Sequence, residues 1–161
     1  MNSGKDVNNE PELTTTLKQP VTQPLTKPET GGLTGGCLCK KLQYRVIGMP
    51  FDADFCHCRH CQKSTGSVVG VWMDFKREQV IWLTEPPKEY ASSEYVRRGF
   101  CQHCGSQVSF RDLRYSQYLT LSISTLDNPN IIKPNYHIYT DSQLEWFNIQ
   151  DECPRYDKSR G

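Results

Sequence analysis

The stretch Cys56-His57-Cys58-Arg59-His60-Cys61 places three cysteines within six residues, in the spacing C-x-C-x-x-C. A second pair, Cys37 and Cys39, lies upstream, and a third pair, Cys101 and Cys104, lies downstream. Seven of the eight cysteines therefore fall in three short clusters. Metal ligands come in such tight groups, whereas disulfide frameworks usually scatter their cysteines, so the spacing predicts metal binding.

The seven clustered cysteines divide into four and three. A C-x-C on an extended chain points both sulfurs to one face, because strand side chains alternate, and a C-x-x-C in a tight turn does the same. Structural zinc takes four protein ligands, and catalytic zinc takes three plus an exchangeable one. We therefore expect two zinc ions per chain, a closed one on the two pairs and an open one on the triple.

Other readings of the clusters stay open at this point. The second site would be closed if one further side chain supplied its fourth ligand, with His60 between two of the cysteines as the first candidate. The remaining candidates are His57, His103 and Cys153. A redox dithiol at C-x-x-C is a further alternative, but the chain lacks the βαβ pattern of thioredoxin-like motifs.

Composition narrows the function classes. The chain has 161 residues, 36% of them hydrophobic, and a net charge of +1, so no bulk electrostatic attraction to nucleic acid or anionic membrane is expected. The N-terminus shows no secretory signal, and no stretch approaches the length of a membrane span. We expect a cytoplasmic protein with reduced thiols.

Residues 1–33 interleave prolines with threonines and contain no aromatic residue. Such a segment buries too little apolar surface to offset its ordering entropy, so it is expected to be a disordered tail, with a docking arm as the alternative. Residues 34–157 form the predicted domain, and 158–161 a short C-terminal tail.

Short alternating segments predict a mainly β domain. Leu42, Tyr44 and Val46 share one face of the first predicted strand, and Val108 and Phe110 share a face of a later one. Further strands are predicted at 51–56, 68–75, 79–83, 95–100, 106–110, 118–123, 136–139 and 144–147, with a helical turn or loop at 59–66. The three tryptophans, Trp72, Trp82 and Trp146, are expected in the core.

Three motifs resemble one known family. They are Gly35-Gly36-Cys37-Leu38-Cys39, the stretch from Cys56 to Lys63 followed by Gly66, and Phe100-Cys101-Gln102-His103-Cys104-Gly105-Ser106. In this order and spacing they are similar to the glutathione-dependent formaldehyde-activating enzymes, whose domain is also that of centromere protein V. The resemblance covers roughly residues 34–157, and the segment 134–139 with Trp146 and Pro154-Arg155-Tyr156 resembles the family's closing part.

The resemblance implies a β-tent fold of short antiparallel strands, a structural zinc on Cys37, Cys39, Cys101 and Cys104, and an active-site zinc on Cys56, Cys58 and Cys61. The implied activity is that of a carbon–sulfur lyase, which joins formaldehyde and glutathione in S-hydroxymethylglutathione. Arg59 and Lys63 are candidate contacts for the carboxylates of such a thiol. The alternative functions are a non-catalytic zinc-stabilised binding module and a thiol or metal sensor.

Overall fold

The computed structural model describes residues 32–160, and the predicted disordered tail lies almost entirely outside them. The fold is mainly β, as predicted, with ten short strands and one α-helix in the described part of the chain. The strands are β1 (Leu33–Gly36), β2 (Gln43–Val46), β3 (Asp52–Cys56), β4 (Gly70–Lys76), β5 (Val80–Trp82), β6 (Lys88–Ala91), β7 (Val96–Phe100), β8 (Gln107–Asp112), β9 (Tyr118–Ser122) and β10 (His137–Ile138). The helix α1 spans Arg59–Thr65.

The strands form two sheets. The smaller has the order β1-β2-β5, and the larger has the order β10-β3-β4-β9-β8-β7-β6. Neighbouring strands run antiparallel except β10, which pairs with β3 in parallel. One-turn 3-10 helices occupy Arg77–Gln79, Leu113–Tyr115, Ile123–Thr125, Pro129–Ile131 and Thr140–Ser142.

The main core lies between the sheets, and the predicted alternation of the first strand is confirmed. Leu42, Tyr44 and Val46 are all buried, and they belong to one apolar cluster with Met73 of β4 and Leu121 of β9. Gly35 of β1 allows this close approach, because a Cβ there would lie 2.5 Å from the Tyr44 hydroxyl.

The larger sheet has a second, more polar face, which carries the candidate site. Cross-strand pairing sets Asp52 opposite Asp74, Asp54 opposite Trp72 and Cys56 opposite Gly70. Because side chains alternate along a strand, these residues all face away from the core residues Ala53 and Met73. The same face continues across the sheet through Thr120, Phe110 and Arg98.

A bulge in β8 corrects the prediction that Val108 and Phe110 share one face. Gly99 pairs with Ser109, whereas the next residue, Phe100, pairs with Gln107, so Val108 is the additional residue. Val108 is fully buried in the main core, while Phe110 packs beside Trp72 with ring centroids 6.5 Å apart. The bulge therefore moves one aromatic ring to the site face.

The segment predicted as a helical turn or loop is the helix α1. The Cys58 side chain accepts a hydrogen bond from the Cys61 N–H at the N-terminus, and Gly66 ends the helix in the left-handed region with φ of 66°. Placed directly after β3, this helix brings the last cysteine of the triple back over the strand end.

Other sequence predictions were wrong in detail. Residues 144–147 form a turn closed by a bond from the Phe147 N–H to the Leu144 carbonyl, not a strand. Trp146 is 75% exposed rather than in the core. The strands β1 and β6 were missed, since β1 is half glycine and β6 is exposed along its whole length. No helix in residues 32–160 is long and apolar enough to cross a membrane.

Candidate metal centres and the adjoining cavity

The two cysteine pairs meet at one point between two hairpins. Cys37 and Cys39 lie in the turn from β1 to β2, and Cys101 and Cys104 lie in the turn from β7 to β8. Their four sulfurs all lie within 4.8 Å of one another, with 3.5 Å between Cys37 and Cys39 and 3.8 Å between Cys39 and Cys101. The C-x-C sulfurs are brought together by a turn in which Lys40 has φ of 61°, not by an extended strand as expected.

The three cysteines of the triple form a second group. Cys56 ends β3, Cys58 caps α1, and Cys61 lies in its first turn, so a strand end and a helix start converge. Their sulfurs also lie within 4.8 Å of one another. Cys56 and Cys61 are buried, while Cys58 is half-buried. Within residues 32–160, no fourth histidine, cysteine or carboxylate atom joins this group.

Both groups have the chemistry of a metal site. All eight cysteines are free thiols. Hydrogen bonding with Cys56 lowers the pKa of Cys58, and the same interaction raises the pKa of Cys56. When one of these thiols ionises, its neighbour becomes harder to ionise, because adjacent negative charges repel. A soft divalent cation such as zinc would remove this conflict and let all the sulfurs ionise, so the residues fit the metal.

The other ligand candidates from the sequence take different positions. His60 and His103 are exposed, and His60 borders the cavities described below. Cys153 is half-buried beside His137 and Asp151, in a third group of ligand-type atoms within 4.8 Å. There, His137 already uses its Nε2 atom in a hydrogen bond to the Asp151 carboxylate, at 3.0 Å.

A buried chain of two histidines and a carboxylate lies directly behind the triple. His57 Nε2 and His137 Nδ1 are 2.8 Å apart, and both side chains have no exposed surface. Burial lowers the pKa of His57 to about 4, so its ring is neutral at pH 7. The bonds from His57 to His137 and from His137 to Asp151 hold both rings in one orientation. No sequence pattern indicates Asp151, because it lies 14 positions after His137 and follows no regular spacing.

A cavity of about 690 Å³ opens beside the triple, on the polar face of the larger sheet. All three cysteines of the triple line it, together with Asp52, Asp54, His60, Trp72, Asp74, Ser92, Ser93, Val96, Arg98, Phe110, Thr120, Tyr136, Ile138, Tyr139, Ser159 and Arg160. The last two residues belong to the predicted C-terminal tail, which here packs onto the domain.

Three aspartates line one side of this cavity. Asp52 accepts hydrogen bonds from the Tyr136 hydroxyl and from Arg160, at 2.8 and 3.1 Å. Asp74 accepts one from the Thr120 hydroxyl at 2.5 Å. Asp54 is 7% exposed, and burial, together with the two neighbouring carboxylates, raises the pKa of its side chain to about 8.

A neighbouring cavity of about 630 Å³ is basic. The predicted carboxylate contacts Arg59 and Lys63 both line it, along with Arg98. It shares His60, Ser92 and Arg98 with the first cavity. Arg98 is held in place by a bond to the Ser64 hydroxyl at 3.1 Å, and it lies 5.4 Å from the centre of the Phe110 ring. No sequence pattern indicates Arg98, since it is 37 residues from the triple and is placed by strand pairing.

Comparison with known proteins identifies the family. The family model named glutathione-dependent formaldehyde-activating enzyme matches residues 32–142. No curated protein matches the chain significantly. Among solved structures, a Rhodobacter sphaeroides protein from a structural genomics programme is similar, with 16% identity and a TM-score of 0.49 over 76% of this chain and 98% of that one. Since the family model spans more than half of the sequence, the chain belongs to the glutathione-dependent formaldehyde-activating enzyme family.

Proposed function

We propose that the protein is a zinc-dependent carbon–sulfur lyase acting on adducts of a thiol and an aldehyde, such as glutathione and formaldehyde. The observation that carries this proposal is the group of three sulfurs that opens on a cavity and has no fourth protein ligand among residues 32–160. The four-sulfur group at the hairpins would hold a second, structural zinc. Three protein ligands with one exchangeable position is the pattern of catalytic rather than structural zinc.

Cys56, Cys58 and Cys61 would hold the active-site zinc. When bound there, zinc would keep a substrate thiol in its thiolate form at neutral pH. In the forward reaction the thiolate sulfur forms a bond to the carbonyl carbon of the aldehyde. The π electron pair moves to the carbonyl oxygen, which gains the proton that the thiol lost.

The protein residues around the triple would orient the thiol. Arg59, Lys63 and Arg98 place positive charge at one end of the joined cavities, where a substrate carboxylate would be neutralised. The hydrogen-bonded series of His57, His137 and Asp151 would hold the backbone of the C-x-C segment in position behind the metal ligands. This role is one of positioning, since both rings are buried away from the cavity lining.

Exchange NMR of formaldehyde and glutathione tests the proposal, because the adduct also forms without an enzyme and its interconversion rate can be measured directly. Zinc-loaded protein is expected to accelerate the exchange above the buffer rate, and Cys58→Ser protein is expected to lose the acceleration while keeping its structural zinc. Exchange at the buffer rate with both zinc ions bound would refute this activity.

A further inference from the structure

Two residues that line the cavity each carry a buried polar atom without a hydrogen-bond partner among residues 32–160: Oδ2 of Asp54 and Nε1 of Trp72. Both side chains are nearly inaccessible, with exposed fractions of 7% and 4%. Leaving such a group unsatisfied costs free energy, so unpaired buried groups are rare in folded proteins. Two of them on residues that line one cavity point to a ligand that supplies the missing partners.

The two atoms belong to directly opposed residues next to the triple. Asp54 pairs across the sheet with Trp72, and it precedes Cys56 by two positions on the same face of β3. The Trp72 indole leans along its own strand toward Gly70, because a Cβ on Gly70 would lie 2.5 Å from Nε1 and 3.3 Å from the Cys61 Cβ. The indole N–H therefore lies beside Gly70, which is itself opposite Cys56.

Neighbouring groups leave Asp54 as the available carboxyl. Asp52 is engaged by Tyr136 and Arg160, and Asp74 by Thr120. The unpaired set is thus one N–H donor and one carboxyl oxygen. A hydroxyl offers a partner to each, since its oxygen accepts from an N–H and its proton bonds to a carboxyl oxygen. An ammonium would leave the indole N–H unpaired.

We propose that Asp54 and Trp72 form a subsite for the hydroxyl group that the adduct carries on the carbon next to sulfur. This inference rests on the proposed function, because it assigns the oxygen of the thiol–aldehyde adduct to these two side chains. The subsite discriminates between the adduct and the free thiol, which has no hydroxyl at that position. It makes no demand on the protonation of Asp54, since a hydroxyl can donate to a carboxylate or accept from a carboxylic acid.

A binding comparison tests the subsite without requiring turnover. The probes are S-hydroxymethylglutathione, maintained by ¹³C-formaldehyde, and S-ethylglutathione, which has a methyl group in place of the hydroxyl. NMR titration of both into zinc-loaded protein gives two dissociation constants for each variant. The variants are Trp72→Phe, which removes the N–H and keeps an aromatic ring, and Asp54→Asn. The matched control is Trp82→Phe in β5, where Trp82 packs edge-on against Tyr44 in the smaller sheet.

Wild-type protein and Trp82→Phe are expected to bind the hydroxymethyl compound about tenfold more tightly than the ethyl compound, as one buried hydrogen bond allows. Trp72→Phe is expected to reduce this preference to about twofold or less and to leave the affinity for S-ethylglutathione unchanged. Equal binding of the two probes by the wild-type protein would overturn the subsite, as would a preference that survives in both variants. Binding of neither probe would refute the proposed function and the subsite together.

Discussion

Replacing Cys104 by serine should destabilise the whole domain, because the four-sulfur group ties together hairpins that are distant in sequence. Cys39 and Cys101 are separated by 62 residues. Treated as a cross-link, a loop of that length restricts the unfolded chain by about 4 kcal/mol. For a domain of roughly 130 residues, such a loss lowers Tm by about 15 °C. The measurement is thermal unfolding by circular dichroism on protein of known zinc content.

The same change in the triple should have a smaller effect. Cys58→Ser opens a loop of only a few residues, whose closure restricts the unfolded chain by about 2 kcal/mol. The fall in Tm should therefore be about half of that expected for Cys104→Ser. Cys153→Ser, outside both cysteine groups, serves as the control and should retain both zinc ions. The reasoning fails if Cys104→Ser keeps two zinc ions, or if its Tm falls no further than that of Cys58→Ser.

Three further predictions concern the fold around the site. Tyr44→Phe removes the 2.8 Å hydrogen bond between the tyrosine and Thr125 hydroxyls. It should lower the free energy of unfolding, measured by urea denaturation, by about 1 kcal/mol. An unchanged midpoint would show that this buried bond contributes nothing. Asp151→Asn should keep both zinc ions but shift the His137 ring nitrogens in ¹⁵N NMR, because the carboxylate bonded to Nε2 is lost. An unaltered ¹⁵N spectrum would contradict the hydrogen bond between His137 and Asp151. Hydrogen bonding from Arg111 lowers the pKa of Glu89, so their pair stabilises the fold above the unfolded carboxyl's pKa and loses this effect as the pH falls through the folded value. Arg111→Ala should therefore reduce stability at pH 7, by less than about 1 kcal/mol for this partly exposed pair, and have a diminishing effect as the pH falls through the folded pKa of Glu89.

The two cysteine groups were predictable because their information is local. A C-x-C or C-x-x-C spacing keeps two sulfurs close together whether the backbone forms a turn or a strand end. The predicted grouping of Cys37 and Cys39 was therefore correct, although the extended chain assumed for it was wrong. The strands that alternate regularly, such as the one with Tyr44 and Val46, were predictable for a similar reason. The division of seven cysteines into four and three follows the two groups of sulfurs in space.

The cavity was not predictable, because strand register sets it. Asp54, Trp72 and Arg98 become neighbours only when β3, β4 and the strands beyond them pair in one alignment, and a shift of one residue would turn each to the core. Phe110 reaches the site face through the bulge at Val108, which no spacing in the sequence reveals. Asp151 is placed by irregular chain that follows the last strand.

The central claim is that Cys56, Cys58 and Cys61 hold a metal with one position open to a thiol. Cobalt-substituted protein tests it most directly, because each thiolate bound to cobalt adds charge-transfer absorption. In wild-type protein with two cobalt ions, titration with glutathione is expected to increase this absorption until one thiol is bound per chain. In Cys58→Ser protein, glutathione is expected to leave the absorption unchanged. Two bound cobalt ions with a spectrum unchanged by glutathione, or only one cobalt ion per chain, would contradict the account.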